Sequence, residues 1–235
     1  MTTPSFCLNG PSRPSDSGQT DSAVVFLHGY GADGNDLISL APYFARQLPN
    51  TAFHAPDAPE ECEISAFGRQ WFSLNDYDPG LLRRNPHTFA DTMNTLYSGT
   101  AQAAERLNQY LGELCTAYQI GHQKLALIGF SQGSMMALHV ALRHAEPIAG
   151  VVTFSGALTG ASRLAAEITA RPPVLLVHGE QDDILPVRAL ALAEDALTAA
   201  AVPHDVLRRP RLGHGIDEVG VERAIAFLTP RLRGA

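Results

Sequence analysis

A serine between two spaced glycines, a histidine flanked by glycines and a pair of adjacent aspartates are the residues whose types and spacing suit acyl transfer. The serine is Ser131 in Gly129-Phe130-Ser131-Gln132-Gly133. A serine hydroxyl becomes a nucleophile when a base takes its proton and fixed N–H groups hold the charge developing on the attacked carbonyl. Glycines two residues to either side suit a sharp strand-to-helix turn, where no Cβ fits between strand and helix. Chance places Gly-x-Ser-x-Gly in about one chain in ten of this length, so the surroundings decide. The apolar run Leu125–Phe130 predicts a strand before Ser131, and Met135, Leu138, Ala141 and Leu142 predict a helix with one buried face after it. Such a turn lifts the hydroxyl above the sheet, beside a helix N-terminus whose partial positive charge favours an oxyanion.

The other parts must come from loops at the same edge. Ala23-Val24-Val25-Phe26-Leu27-His28-Gly29-Tyr30-Gly31 runs an apolar strand into a glycine-flanked turn. Where a serine of this kind tops a sheet, one oxyanion donor is the amide of the next residue, here Gln132. The second comes from a loop after an earlier strand, often marked His-Gly. The Tyr30 amide is the candidate, with Gly29 and Gly31 leaving the backbone free to aim it, and His28 reads as a structural histidine holding that loop.

Nine histidines compete for the base. His122, His139 and His144 precede any later strand, and His204 begins one. His178 closes the run 174–177 and leads into Gly179-Glu180-Gln181-Asp182-Asp183, a carboxylate cluster at a strand's C-terminal end. Only His214, in Arg211-Leu212-Gly213-His214-Gly215, is both downstream of that cluster and on a strand-end loop. It is expected to take the serine's proton and pass it to the leaving group, with an acid fixing its tautomer. Asp182 and Asp183 are equivalent candidates for the acid by chemistry alone, and Glu180, nearer the strand end, is a weaker one.

These residues need a frame. The runs 23–27, Leu125–Phe130, 151–154 and 174–177 are nearly continuous and apolar, as strands buried on both faces of a parallel sheet are. Thr51–His54 and 204–207 are shorter strand candidates. Helix patterns fall at 36–48, 99–119, 132–144, 187–201 and 217–228, an alternation that predicts a doubly wound, mostly parallel α/β sheet. Residues 1–22 read as a polar N-terminal segment and 23–235 as one domain. The stretch 56–88 is irregular but carries Phe67, Trp71, Phe72, Leu74, Leu81 and Leu82, so it is expected to pack as a loop walling a pocket.

Composition narrows the function classes. The 235 residues are 45% hydrophobic and 17% charged, as in an ordinary globular domain, with a formal net charge of −7. No long basic run supports nucleic-acid binding, and no apolar run has membrane-spanning length. Residues 1–22 lack a secretory pattern, and Cys7, Cys62 and Cys115 are odd in number and far apart. A cytoplasmic location with reduced thiols is the expectation, with no metal site and no cofactor. Arg208, Arg209 and Arg211 beside His214 read as a solvated patch, although they would also attract an anionic headgroup.

With the motifs taken together, the chain resembles the phospholipase/carboxylesterase family, which includes acyl-protein thioesterases and lysophospholipases. The likeness runs from about Ala23 and rests on Leu27-His28-Gly29-Tyr30-Gly31-Ala32-Asp33-Gly34-Asn35-Asp36-Leu37, Ala55-Pro56 and Gly68-Arg69-Gln70-Trp71-Phe72. It continues through Gly129-Phe130-Ser131-Gln132-Gly133, Phe154-Ser155-Gly156, His178-Gly179 through Asp182 to Pro186, and Gly213-His214. The resemblance implies an α/β-hydrolase fold without a large cap domain, and a triad of Ser131, Asp182 and His214. It selects Asp182 as the fourth residue after His178, gives the Tyr30 and Gln132 amides the oxyanion hole and puts Trp71 at the acyl pocket. It also implies no metal and a homodimer. Ser134 stands where the family often has a glycine. The implied activity is hydrolysis of short- to medium-chain acyl esters or thioesters, small-molecule substrates, through an acyl-enzyme on Ser131. Lysophospholipase or protein S-acyl thioesterase activity is the alternative within hydrolases. A non-catalytic hydrolase-fold binding protein, the remaining class, would have no use for the aligned Ser131, Asp182 and His214.

Overall fold

The computed structural model describes residues 6–75, 77 and 88–233. Its strands are β1 (Ser12–Arg13), β2 (Ser22–Leu27), β3 (Thr51–His54), β4 (Glu60–Glu61), β5 (Arg69–Gln70), β6 (Leu125–Phe130), β7 (Gly150–Phe154), β8 (Val174–Gly179) and β9 (His204–Arg209). Seven of them form one sheet in the order β1-β3-β2-β6-β7-β8-β9. Every pairing in it is parallel except that of β1 with β3. The chain runs outward from β2 to β3, then returns to add β6 on the other side of β2. Between β2 and β6 lies the switch point of the sheet, where loops diverge and open a crevice.

The nearly unbroken apolar runs follow from burial on both faces. Val25, Leu27, Leu127, Val151 and Leu176 enter one core layer, while Val24, Phe26, Ile128, Val152 and Val177 enter the other. Helices α1 (Gly34–Ile38), α2 (Ala41–Ala45) and α8 (Glu218–Arg233) cover the second layer through Leu37, Phe44, Phe227 and Leu228. Helices α3 (Phe89–Thr95), α4 (Tyr97–Tyr118), α5 (Gln132–Arg143), α6 (Leu164–Glu167) and α7 (Arg188–Ala199) supply the first, with Leu107, Leu111, Leu138, Leu190 and Leu197 fully or nearly buried. Each such side chain contributes about 1.5–3 kcal/mol by leaving water.

Three elements differ from the sequence reading. The expected helix over 36–48 is two short helices, α1 and α2. Asp33 caps the first by accepting the Asn35 amide at 2.8 Å, and Pro42, near the start of the second, has a ring that would strike the Ile38 carbonyl of a continuous helix. Within the polar N-terminal segment, Ser12–Arg13 is an edge strand on β3, and Leu8 is buried. In the irregular stretch, β4 and β5 form a two-stranded antiparallel hairpin. These strands are two polar residues each, too short to show a period. Leu81 and Leu82 lie outside the described residues.

Candidate active site

The register brings the C-terminal ends of β2, β6, β7, β8 and β9 to one edge: Leu27 pairs with Gly129, Phe130 with Phe154, and Gly179 with Arg209. All the loops singled out in the sequence leave from that edge. Ser131 sits between β6 and α5 with φ +53° and ψ −115°, a conformation that L-residues other than at tight turns rarely hold. Its amide donates to the Phe154 carbonyl at 3.0 Å, which fixes the turn to β7. The two flanking glycines are required by contact: a Cβ on Gly129 would run into the Gly133 carbonyl, and one on Gly133 into the Leu27 carbonyl. Ser134 at the next position is fully buried. Its hydroxyl donates to the Gly129 or Phe154 carbonyl, at 2.7 and 3.0 Å, and accepts the Phe154 amide at 3.1 Å.

His214, on the loop after β9, lies with its ring 4.9 Å from that of Phe130. Its Nδ1 is 2.8 Å from Asp182 Oδ2 and 3.0 Å from Oδ1. Of the two adjacent aspartates, Asp182 is buried and meets His214, whereas Asp183 is exposed. Asp182 Oδ1 also accepts the Ile184 and Leu185 amides at 3.0 and 2.8 Å. Burial acts to raise the Asp182 carboxyl, but the His214 bond and charge, the Leu185 amide and His178 outweigh it, and the group lies below the usual aspartate value. Asp182 is therefore an anion at neutral pH, aimed at the imidazole.

The amides expected to hold an oxyanion sit beside the serine. A Cβ on Gly29 would come within 3.4 Å of the Ser131 Cβ, so the loop after β2 lies against the Ser131 turn. No group among the described residues accepts from the Tyr30 or Gln132 amide. The Tyr30 hydroxyl donates to Glu63 at 2.9 Å. His28 is fully buried and spends both ring nitrogens on backbone: Nδ1 donates to the Gly29 carbonyl at 2.8 Å and Nε2 accepts the Ala58 amide at 3.0 Å. Desolvation keeps it neutral by lowering its pKa. Ser131, Gln132, Tyr30 and His214 line one cavity of about 500 Å³, whose remaining wall is largely apolar, with Leu74, Met135, Ile184 and Leu185 among its residues. That is a volume suited to a small organic ligand. Ser131 and His214 both face it, with no hydrogen bond between their side chains.

Trp71 is not among the residues lining that cavity, although its neighbour Gln132 is. It is 1% exposed, and its indole donates to the His28 carbonyl at 3.1 Å. Its amide donates to Gln132 Oε1 at 2.9 Å, and Gln132 Nε2 donates to the Phe72 carbonyl at 2.7 Å. The carboxamide next to Ser131 is thus a strut to residues 71–72, a role that motif reading does not reveal because the position is formally variable. Arg208 pairs with Glu194 at 3.0 Å and Arg209 with Asp217 at 2.8 Å, so two of the three basic residues near His214 are engaged by neighbours. Among the described residues no cluster of His, Cys, Asp and Glu could hold a metal, and no helix is long and apolar enough to cross a membrane.

A doubly wound sheet carrying a serine on a strained strand-to-helix turn, with an aspartate-bound histidine at the same edge, defines an α/β-hydrolase. The phospholipase/carboxylesterase family model matches residues 13–231, and the chain belongs to that family. Its sequence is 26% identical over 175 residues to acyl-protein thioesterase 1 of Saccharomyces cerevisiae, covering 70% of this chain and 71% of that one. It is 24% identical over 225 residues to esterase YpfH of Escherichia coli, covering 95% and 86%. Among solved structures it superposes on esterase PE8 with a TM-score of 0.84 at 37% identity, covering 94% and 97% of the two chains. It shares its fold with SOBER1 of Arabidopsis thaliana, with a TM-score of 0.76 at 21% identity over 91% of this chain and 100% of that one.

Proposed function

We propose that this protein is a carboxylic ester hydrolase that cleaves short- to medium-chain acyl esters and thioesters through an acyl-enzyme on Ser131. One observation carries the reading: the His214 imidazole, bound to the Asp182 anion at 2.8 Å, opens onto the same cavity as Ser131. With Nδ1–H donated to Asp182, the other ring nitrogen of His214 is left as the acceptor for the Ser131 proton. Ser131 Oγ attacks the carbonyl carbon as His214 takes that proton. The negative oxygen of the tetrahedral intermediate is held by the Tyr30 and Gln132 amides. Collapse expels the alcohol or thiol, which receives the proton from His214. Water, deprotonated by His214, then releases the acid and restores Ser131. The apolar wall of the cavity favours an acyl chain over a polar one. The test is hydrolysis of p-nitrophenyl acetate and butyrate, with labelling by a fluorophosphonate. Turnover and labelling in the native protein, both abolished in Ser131→Ala, are expected. No turnover and no labelling of the native protein would overturn the reading, as would a Ser131→Ala variant that keeps most of its activity.

A further inference from the structure

Beside Asp182, near the same carboxylate oxygen that His214 meets, lies a second histidine that the proposed chemistry does not use. His178 belongs to β8, and its side chain is 1% exposed. Its Nε2 is 2.8 Å from the Leu185 carbonyl and 3.4 Å from Asp182 Oδ2. A carbonyl only accepts, so Nε2 carries the proton. The ring is neutral, because desolvation lowers its pKa despite the nearby Leu185 carbonyl and Asp182 charge. The same residue, Leu185, donates its amide to Asp182 Oδ1 at 2.8 Å. His178 therefore grips by its carbonyl the residue that grips the carboxylate by its amide.

We propose that His178 is a positioning residue that sets the Asp182 carboxylate for His214 through Leu185. The role rests on the reading of Asp182 and His214 as the acid–base pair. The physical reason is that Asp182 is aimed by a short turn, residues 182–185, that lies outside regular secondary structure between β8 and α7. Two backbone amides orient Oδ1, and those amides stay in place only if the turn does. The imidazole anchors the turn to the rigid sheet by one buried hydrogen bond. Being neutral, it does so without placing a full positive charge beside Asp182, which would compete with His214 for the carboxylate. Loss of the anchor lets the carboxylate swing from Nδ1, so the imidazolium formed as Ser131 attacks is less well stabilised. Substrate does not touch His178, so binding is spared and turnover is not.

The experiment compares His178→Leu and His178→Gln with the native protein, by steady-state kinetics on p-nitrophenyl butyrate and by proton NMR of the His214 Nδ1–H resonance. Gln Nε2 reaches about where the imidazole Nε2 lies and can donate to the Leu185 carbonyl. Leu cannot. The expected result for His178→Leu is a fall in kcat of about 10²-fold, comparable to the loss of a partner that orients a functional ligand, with KM within about threefold. The downfield Nδ1–H signal should be lost in His178→Leu and retained in His178→Gln, whose kcat should recover at least tenfold over the leucine variant. Because His178→Leu leaves a buried carbonyl unpaired and has the greater chance of not folding, the glutamine variant carries the test by itself: kcat within about tenfold of native and the signal present. A folded leucine variant with native kcat would overturn the inference, as would a glutamine variant no better than leucine or a KM change with kcat intact. Asp182→Asn separates the two levels. If that variant is inactive while His178→Leu is fully active, only the positioning role fails; if Asp182→Asn is fully active, the acid–base reading fails and the positioning role with it.

Discussion

Replacing Asp182 by asparagine tests the acid–base reading most sharply, because the geometry dictates how the new side chain must sit. Oδ1 accepts the Ile184 and Leu185 amides at 3.0 and 2.8 Å. An asparagine must keep its oxygen there, since its NH₂ group would otherwise face two N–H donors, one of them the buried Leu185 amide, at a cost of about 1–3 kcal/mol for each group left unpaired. The NH₂ group then falls where Oδ2 was, 2.8 Å from His214 Nδ1. His214 Nδ1 then has the retained oxygen at 3.0 Å but the NH₂ group nearer, at 2.8 Å, so the favoured arrangement offers a lone pair at Nδ1 and puts the proton on the other ring nitrogen, the one proposed to serve Ser131. The base is lost without any loss of shape. Serine enzymes with the equivalent change lose about 10⁴-fold in kcat, or about 5 kcal/mol of transition-state stabilisation. The assay is kcat and KM on p-nitrophenyl butyrate, with circular dichroism and Tm to establish that the variant is folded. The exposed neighbour provides the contrast: Asp183→Asn should lose less than about threefold. A folded Asp182→Asn with kcat within tenfold of native, or an Asp183→Asn as impaired as Asp182→Asn, would refute the argument.

Other substitutions probe the frame. Gly133→Ala puts a methyl on the Leu27 carbonyl, and backbone cannot move aside as a flexible side chain can. A loss of about 3 kcal/mol or more in urea unfolding, with turnover abolished, is expected. His28→Leu removes the acceptor for the Ala58 amide at 3.0 Å and the donor to the Gly29 carbonyl at 2.8 Å. It should cost about 2 kcal/mol in stability, and turnover of the folded fraction should also fall because the Tyr30 loop is freed. Acid should destabilise the fold through two buried histidines, His54 and His139, whose pKa values burial lowers to about 4. Their unfolded values lie near 6.5, so the unfolded chain takes up protons first as pH falls. The stability each contributes is full above about 6.5 and is lost progressively towards pH 4, by up to about 3 kcal/mol per group at 1.36 kcal/mol per unit. Thermal unfolding followed between pH 7.5 and 4.5 should show a falling Tm that His54→Phe lessens. A flat profile, or one that His54→Phe leaves unchanged, would contradict it.

Legibility in the sequence depended on how local the physics was. Leu125–Phe130 and the strands beside it were readable because a strand buried on both faces must be apolar at every position, whatever surrounds it. The Ser131 turn was readable because its glycines answer to contacts within five residues and to one neighbouring strand. The hairpin of Glu60–Glu61 with Arg69–Gln70 was not, since two polar residues carry no period and the pairing is held by such contacts as the Gly31 amide on the Arg69 carbonyl at 3.0 Å. The division of 36–48 into two helices was signalled only by Pro42. Trp71 stands in a motif that adjoins the site in sequence likeness, yet its indole faces the His28 carbonyl and not the cavity that Ser131 lines.

Spacing could not separate Asp182 from Asp183 because the difference between them is a matter of which side of one short turn faces inward. In the folded chain that side is decided by what the turn is fastened to. The Leu185 side chain is buried, its amide points at Asp182 and its carbonyl is held by His178. With the residue three places on locked in this way, the first aspartate is drawn in against His214 and the second is exposed. A histidine following the apolar run 174–177 is the one trace of this in the sequence. It signals that a buried polar ring must find a partner just beyond the strand, and here the partner is the turn that presents Asp182.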